Sequence, residues 1–276
     1  MKPFFNVQTV DQVHGRAAAI TSLPPETVDL TGARGRTLAE DVEAPMDLPG
    51  FTRATMDGFA VRGKDTFGTS EGSPGYLRLV GEVLMGAVPD LQVGPGECAR
   101  IGTGGMLPEG ADAVVMVEHT READTTTVEI ASAVAPGTHV LGATDDAEAG
   151  QVLLPAGRWL RPQDVGLLAA LGERTPRVFR APRVGILSTG DEVVPVDREP
   201  TPGQVRDVNA SVLAAQVRAA GGVPVSLGLV PDDRGALADA VARSLEEADL
   251  TLLSGGSSVG ARDLTAEVFS AVEGAE

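Results

Sequence analysis

The sequence predicts a mixed, multidomain chain: helical segments on either side of a β-rich central stretch, followed by an α/β domain on a parallel sheet. Three observations carry this. Helical periodicity is confined to the first twenty residues and to the chain after about residue 160. Residues 44–144 are dense in Gly, Pro and Thr and read as short β runs. From residue 183 onward, short apolar runs alternate with helical ones.

In chain order, Thr9 can accept hydrogen bonds from first-turn amides, and Val10, Val13, Ala17 and Ile20 recur at helical spacing, so 9–20 reads as a short helix. Residues 26–43 are β-like and interrupted by Gly32 and Gly35. Candidate strands then fall at 76–84, 97–101, 113–119 and 126–131, parted by turn signals such as Pro74-Gly75 and Pro95-Gly96. They predict an all-β unit, barrel or sandwich. Pro162 suits a first helical position, Val165, Leu168 and Leu171 share a face, and Gly172 provides a stop. Periodicity leaves open whether this helix packs with the first one.

The last third alternates strand and helix. Strands are expected at 184–187, 223–230 and 250–253. Asn209 is the expected cap of a helix carrying Val212, Leu213, Gln216, Val217 and Ala220, ended by Gly221-Gly222. Asp232 or Asp233 caps a second helix with Leu237, Val241 and Leu245, and a third is expected from about Asp263. This order spells a parallel sheet with right-handed crossovers.

Composition narrows function. The formal charge of −17 and an aromatic content of 3% argue against a nucleic-acid partner, which needs a basic patch and stacking platforms. The longest apolar runs, such as 113–117, fall far short of the roughly 20 residues that span a bilayer. The first residues lack the apolar stretch of a secretory signal, and the single Cys98 has no internal disulfide partner; a cytoplasmic location is expected.

In an open parallel sheet, ligands bind beyond the carboxyl ends of the strands. Three turns should lie there: Ser188-Thr189-Gly190-Asp191-Glu192, Pro231-Asp232-Asp233-Arg234, and Ser254-Gly255-Gly256-Ser257-Ser258-Val259-Gly260 leading to Asp263. Glycines allow close backbone approach, hydroxyls and amides hold phosphate oxygens, and carboxylates at the same edge call for a bridging Mg²⁺. Each turn also has a plainer reading. Thr189–Glu192 resembles any polar loop, and one of Asp232 and Asp233 can simply cap a helix. The Gly-Gly-Ser-Ser-Val-Gly loop is the strongest of the three, although it is neither a P-loop nor a dinucleotide fingerprint. Earlier in the chain, Asp57-Gly58 reads as a hairpin turn, Cys98 as core and Trp159 as packing. His14, His119 and His139 lack the spacing of a zinc site.

Taken together, several segments resemble the molybdopterin molybdenumtransferase family, which includes the E domain of gephyrin. They are Pro49-Gly50-Phe51-Thr52-Arg53-Ala54-Thr55-Met56-Asp57-Gly58-Phe59-Ala60, the stretch 103–115 beginning Thr103-Gly104-Gly105-Met106, Ser188-Thr189-Gly190-Asp191-Glu192, Gln204-Val205-Arg206-Asp207-Val208-Asn209, Pro231-Asp232-Asp233, and the loop 254–260 with Asp263. Their order and spacing over nearly the whole chain carry the match.

The resemblance implies a helical, discontinuous first domain (1–43 with 146–180), a β-rich insertion (44–145) and an α/β molybdopterin-binding domain (181–276). It implies insertion of molybdenum from molybdate into adenylylated molybdopterin, with AMP release aided by Mg²⁺. The family's functional acids fall on Asp57, Asp146, Glu192, Asp232 and Asp263. Asp146 follows from an Asp-x-x-x-Gly pattern ending at Gly150, with Asp145 as the neighbouring register. Glu192, Asp232 and Asp263 are the expected metal-placing residues; Ser188, Thr189, Gly190, Gly255, Gly256 and Ser257 are the expected cradle. A homodimer is implied, with Asp57 serving a site across its interface, and an upstream molybdopterin adenylyltransferase is an expected partner.

Family members continue with a Lys-Pro-Gly-Lys-Pro-like loop, a Pro-Gly-Asn-Pro-like segment and a small C-terminal β domain, none of which occurs in these 276 residues. The expected α/β sheet is therefore incomplete, with an unpaired edge. This keeps a second reading open: a truncated, non-catalytic pterin-binding or scaffold module of the same fold.

Overall fold

A computed structural model describes residues 8–255, 267–268 and 270–272. The chain divides into two compact units, Asp41–Leu154 and the flanking Met1–Glu40 with Pro155–Glu276. Among the described residues, no helix is long and apolar enough to cross a membrane.

The middle unit is built on a six-stranded mixed sheet. Its spatial order is Ala113–Met116, Gly58–Val61, Glu97–Ile101, Gly75–Glu82, Thr127–Ile130, Thr120–Glu122. Every neighbouring pair is antiparallel except Gly75–Glu82 with Glu97–Ile101. Both faces are covered. Phe59, Val61, Cys98, Val115 and Val128 form one cluster, while Ala60, Ala99, Ile101 and Val114 form another, which is the period-two alternation of a strand buried on both sides. Burial pushes the Cys98 thiol up to about 12, so it packs as a small apolar group.

Gly58-Phe59-Ala60-Val61 lies between two strands, and a Cβ on Gly58 would stand 2.0 Å from the Val115 carbonyl oxygen. Only glycine fits that approach. The Asp57-Gly58 pair is consequently not a hairpin turn. Arg53–Ala54 pairs with Val140–Leu141 instead, so tertiary pairing overrides the local turn signal. Val42–Glu43 pairs antiparallel with Val152–Leu154, bringing the unit's entry and exit side by side.

In the flanking unit, Pro25–Thr27 pairs antiparallel with Arg177–Phe179. The helix Pro162–Ala170 starts with Pro at its head, and Asp164 accepts from the Arg161 amide at 2.9 Å. Asp164 is buried and is held by the Arg158 guanidinium at 2.8 Å and the Arg161 guanidinium at 3.1 Å, which keep its carboxyl far below the usual range. The helix Val10–Ala18 begins with a complete capping box, Thr9 and Gln12 each satisfying the other's amide. Val10 and Val13 of its apolar stripe are 70% and 52% exposed.

The last third forms a three-stranded parallel sheet with Arg183–Thr189 in the centre, Val223–Val230 on one side and Leu250–Ser254 on the other. The helix Val208–Ala219 covers one face through Val184, Ile186 and Val217. The helix Arg234–Glu247, with Val268, covers the other through Leu187, Leu227, Leu237 and Val241. Each fully buried Leu or Val of these faces contributes roughly 1.5–3 kcal/mol.

Two caps refine the sequence reading. The first helix is capped by Asp207, which accepts from the Ala210 amide at 3.0 Å, and not by Asn209. Asp207 lies three residues ahead of that amide, the spacing a cap needs, whereas Asn209 already sits in the first turn. The second helix is capped by Asp233, through the Ala236 amide at 2.9 Å, leaving Asp232 free for other partners.

Candidate functional site

The spatial order of the parallel strands places the first strand of the sequence between the second and the third. The chain therefore leaves the central strand toward one side and returns to the other, and the crevice opens where those directions diverge. A cleft of about 330 Å³ lies there, at the carboxyl ends of Arg183–Thr189 and Leu250–Ser254. Ser188, Thr189, Glu192, Asn209, Ser254 and Gly255 are among its walls.

Ser188 and Thr189 are buried, yet their hydroxyls differ. Thr189 Oγ1 donates to Asp232 Oδ1 at 2.6 Å. Ser188 Oγ has no hydrogen-bond partner among the described residues. A buried hydroxyl left unmatched costs about 1–3 kcal/mol, so this donor is open to a group that enters the cleft. Asp191 Oδ1 accepts from the Asp232 amide at 3.1 Å, tying the first and second turns together. Asn209 Nδ2 donates to Ser254 Oγ at 2.7 Å, tying the helix start to the third strand.

Gly255 carries a φ of +115°, and a Cβ there would fall 2.2 Å from the Thr189 carbonyl oxygen. The backbone is thus drawn against the neighbouring strand end, as the glycine-rich turn predicts. Gly190 is buried beside it. Glu192 and Asp232 are exposed at the rim. Gly256, Ser257 and Asp263 lie outside the described residues.

The oxygen groups at this edge are the carboxylates of Glu192, Asp191 and Asp232 and the hydroxyls of Ser188 and Thr189, with Arg206 and Asn209 also on the cleft wall. That chemistry suits a hard divalent cation such as Mg²⁺, which takes one or two carboxylates and completes its shell with water and phosphate oxygens. The unmatched Ser188 hydroxyl fits a ligand oxygen arriving with it. Among the described residues, no three Asp, Glu, His or Cys side chains cluster closely enough to form an all-protein cage.

The middle unit holds the other two expected acids. Asp57 Oδ1 accepts from the Thr103 amide at 2.7 Å and from the Thr103 hydroxyl at 2.8 Å. These bonds, the backbone one foremost, lower its pKa from the ordinary carboxylate value. Asp146 lies 3.5 Å from the Arg53 guanidinium, whereas Asp145 accepts from the Gly142 amide within its own turn. Asp146 is the register with its carboxylate facing a side chain.

Three residues at these places escape the sequence signals for site residues. Thr103 lies 46 positions from Asp57, a separation at which no local pattern operates. Asn209 looks like a cap and serves as a tether. Arg206 lines the cleft as its cationic side chain, with its Nε donating to the Arg198 carbonyl at 3.2 Å.

The chain thus combines a parallel α/β domain that has a cleft at its strand ends with a β-rich middle unit. The MoeA N-terminal region family (domains I and II) matches residues 8–172, and the probable molybdopterin-binding domain family matches residues 185–276. A Nostoc molybdopterin molybdenumtransferase is 36% identical over 98% of this chain and 64% of its own length. That of Bacillus subtilis is 36% identical over 88% of this chain and 57% of its own. The crystal structure of the molybdopterin biosynthesis MoeA protein of Pyrococcus horikoshii superposes with a TM-score of 0.76 at 36% identity, over 96% of this chain and 66% of that one. This chain belongs to the MoeA-type molybdopterin molybdenumtransferase family. It spans about 60% of the length of the curated relatives it matches.

Proposed function

We propose that the chain acts in molybdenum cofactor biosynthesis, binding adenylylated molybdopterin at the carboxyl edge of its parallel sheet for insertion of molybdenum from molybdate and release of AMP. The observation that carries this is the buried, unmatched Ser188 hydroxyl in a cleft whose rim is acidic. Ser188 donates to a phosphate oxygen of the ligand. Thr189, whose hydroxyl is committed to Asp232, holds that carboxylate at the edge of the cleft. Gly190, Gly255, Gly256 and Ser257 allow backbone amides to approach it.

Glu192 and Asp232, with Asp263, would hold Mg²⁺, which supplies positive charge against the phosphates when bound. Thr103 orients Asp57 and lowers its carboxyl below the ordinary value. In the homodimer we infer, Asp57 serves the ligand held by the partner chain, and Asp146 is a further functional acid. The substrate comes from an upstream adenylyltransferase, and the reaction belongs to the cytoplasm.

Incubation of the purified chain with adenylylated molybdopterin, molybdate and Mg²⁺ tests this reading through AMP release and cofactor formation. Asp263→Ala should abolish AMP release while the fold is retained; unchanged turnover removes Asp263 from the assignment. A second reading is a pterin-binding module without turnover. Tight ligand binding without AMP release would select it.

A further inference from the structure

The flanking unit contains a second cleft, of about 630 Å³, that shares no lining residue with the one at the strand ends. It lies at the opposite end of the helix Val208–Ala219, roughly 18 Å away along an axis that rises 1.5 Å per residue. Arg34, Arg36, Arg161 and Arg218 line it together with Trp159. This is an unusual gathering in a chain with 22 Lys and Arg against 39 Asp and Glu.

The four arginines are not equivalent. Arg36 is neutralised by Glu26 at 2.5 Å, and Arg161 by the buried Asp164. Arg34 and Arg218 form no ion pair among the described residues, so two guanidinium charges face the cleft uncompensated. The carboxyl end of the helix adds only about half a negative charge, which two guanidiniums outweigh.

Trp159, expected as packing, is 50% exposed. Its ring borders this basic cleft and also an adjoining one of about 430 Å³, whose walls include Ile20, Leu23 and Phe179. An exposed indole between an apolar hollow and unpaired guanidiniums has the chemistry to receive a flat ring and an anion at once.

We propose that this cleft binds a phosphorylated planar heterocycle, such as a nucleoside monophosphate, with the ring stacked on Trp159 and the phosphate held by Arg34 and Arg218. The site is separate from the one at the strand ends and stands whether or not that one turns over.

The chain has a single tryptophan, so its emission reports on this cleft directly. Titration of the full chain with AMP should quench it saturably. Adenosine or inorganic phosphate alone should need at least tenfold higher concentration. The Arg34→Ala/Arg218→Ala double variant, checked for an unchanged circular dichroism spectrum, should weaken the AMP response at least tenfold. Asp232→Asn, at the other cleft, should leave it intact. Unchanged emission with AMP, or an equal response in the double variant, overturns the proposal. A response that follows Asp232→Asn instead would assign the binding to the strand-end cleft and overturn it equally. If adenosine matches AMP, the arginines do not hold a phosphate and the assigned ligand class is wrong.

Discussion

The Asp57 loop of the middle unit and the Ser188 edge of the parallel sheet handle polar groups in opposite ways. At Asp57 the carboxylate is committed, with one oxygen receiving both the amide and the hydroxyl of Thr103. At Ser188 the hydroxyl is buried and unmatched. The first loop holds its carboxylate with groups of its own; the second leaves a buried hydroxyl without a partner among the described residues. Stability and ligand dependence should accordingly segregate between the two regions.

The largest expected effect tests whether the middle unit is a separate structural element. Gly58→Ala drives a Cβ into the Val115 carbonyl between two paired strands and should destabilise by about 3 kcal/mol or more. Hydrogen exchange should show protection lost across residues 41–154 and retained across 183–254. Uniform loss would show one cooperative unit and end the contrast.

Next comes Asp164, a buried carboxylate that is fully matched. Asp164→Asn removes the charge that holds Arg158 and Arg161 and should cost about 2 kcal/mol at neutral pH by denaturant unfolding. The folded-state pKa is depressed, so this contribution is present above the ordinary carboxylate range and is lost as pH falls below about 4. The gap between wild type and variant should narrow there. A gap constant down to pH 2 would mean that the ion pairs do not carry it.

Ser188→Ala should act with the opposite sign. Removing an unmatched buried hydroxyl should leave stability unchanged or raise it by about 1 kcal/mol, while weakening the ligand of the strand-end cleft roughly tenfold. A destabilised variant would reveal a partner for Ser188 in the free protein. The smallest effect falls at Thr103→Val, where the Asp57 pKa, followed by carboxyl NMR, should rise toward the ordinary carboxylate value with little change in unfolding. An unmoved titration would show that the Thr103 contacts do not hold the charge.

Local signals made much of the architecture legible. The strands 97–101 and 223–230 lie where alternation and apolar runs place them. Asp233 caps while Asp232 turns toward Thr189, a division of labour foreseeable from the pair itself. Reading failed where distant pairing decides. Asp57-Gly58 mimics a hairpin because the same dipeptide serves a tight turn and a crowded strand start, and only the Val115 strand distinguishes them. Trp159 reads as packing and is half exposed, a degree of cover on which periodicity is silent. Asn209 carries a capping residue's chemistry, but Asp207 already occupies the position from which the amide can be reached.

The pairing of Val42–Glu43 with Val152–Leu154 sets an order of events during synthesis. A ribosome delivers all of the middle unit before the partner of Pro25–Thr27 exists, since Arg177–Phe179 emerges about 150 residues later. The middle unit can close its own ends and fold as soon as it clears the exit tunnel. The first forty residues must wait, tethered and uncovered, for their second half. Closing that long excursion through a folded knot of fixed span, rather than a loose coil, lowers the entropic cost of bringing the two halves together. Released chains that end between about residues 155 and 175 should therefore already hold a protease-resistant middle unit with a sensitive leading segment.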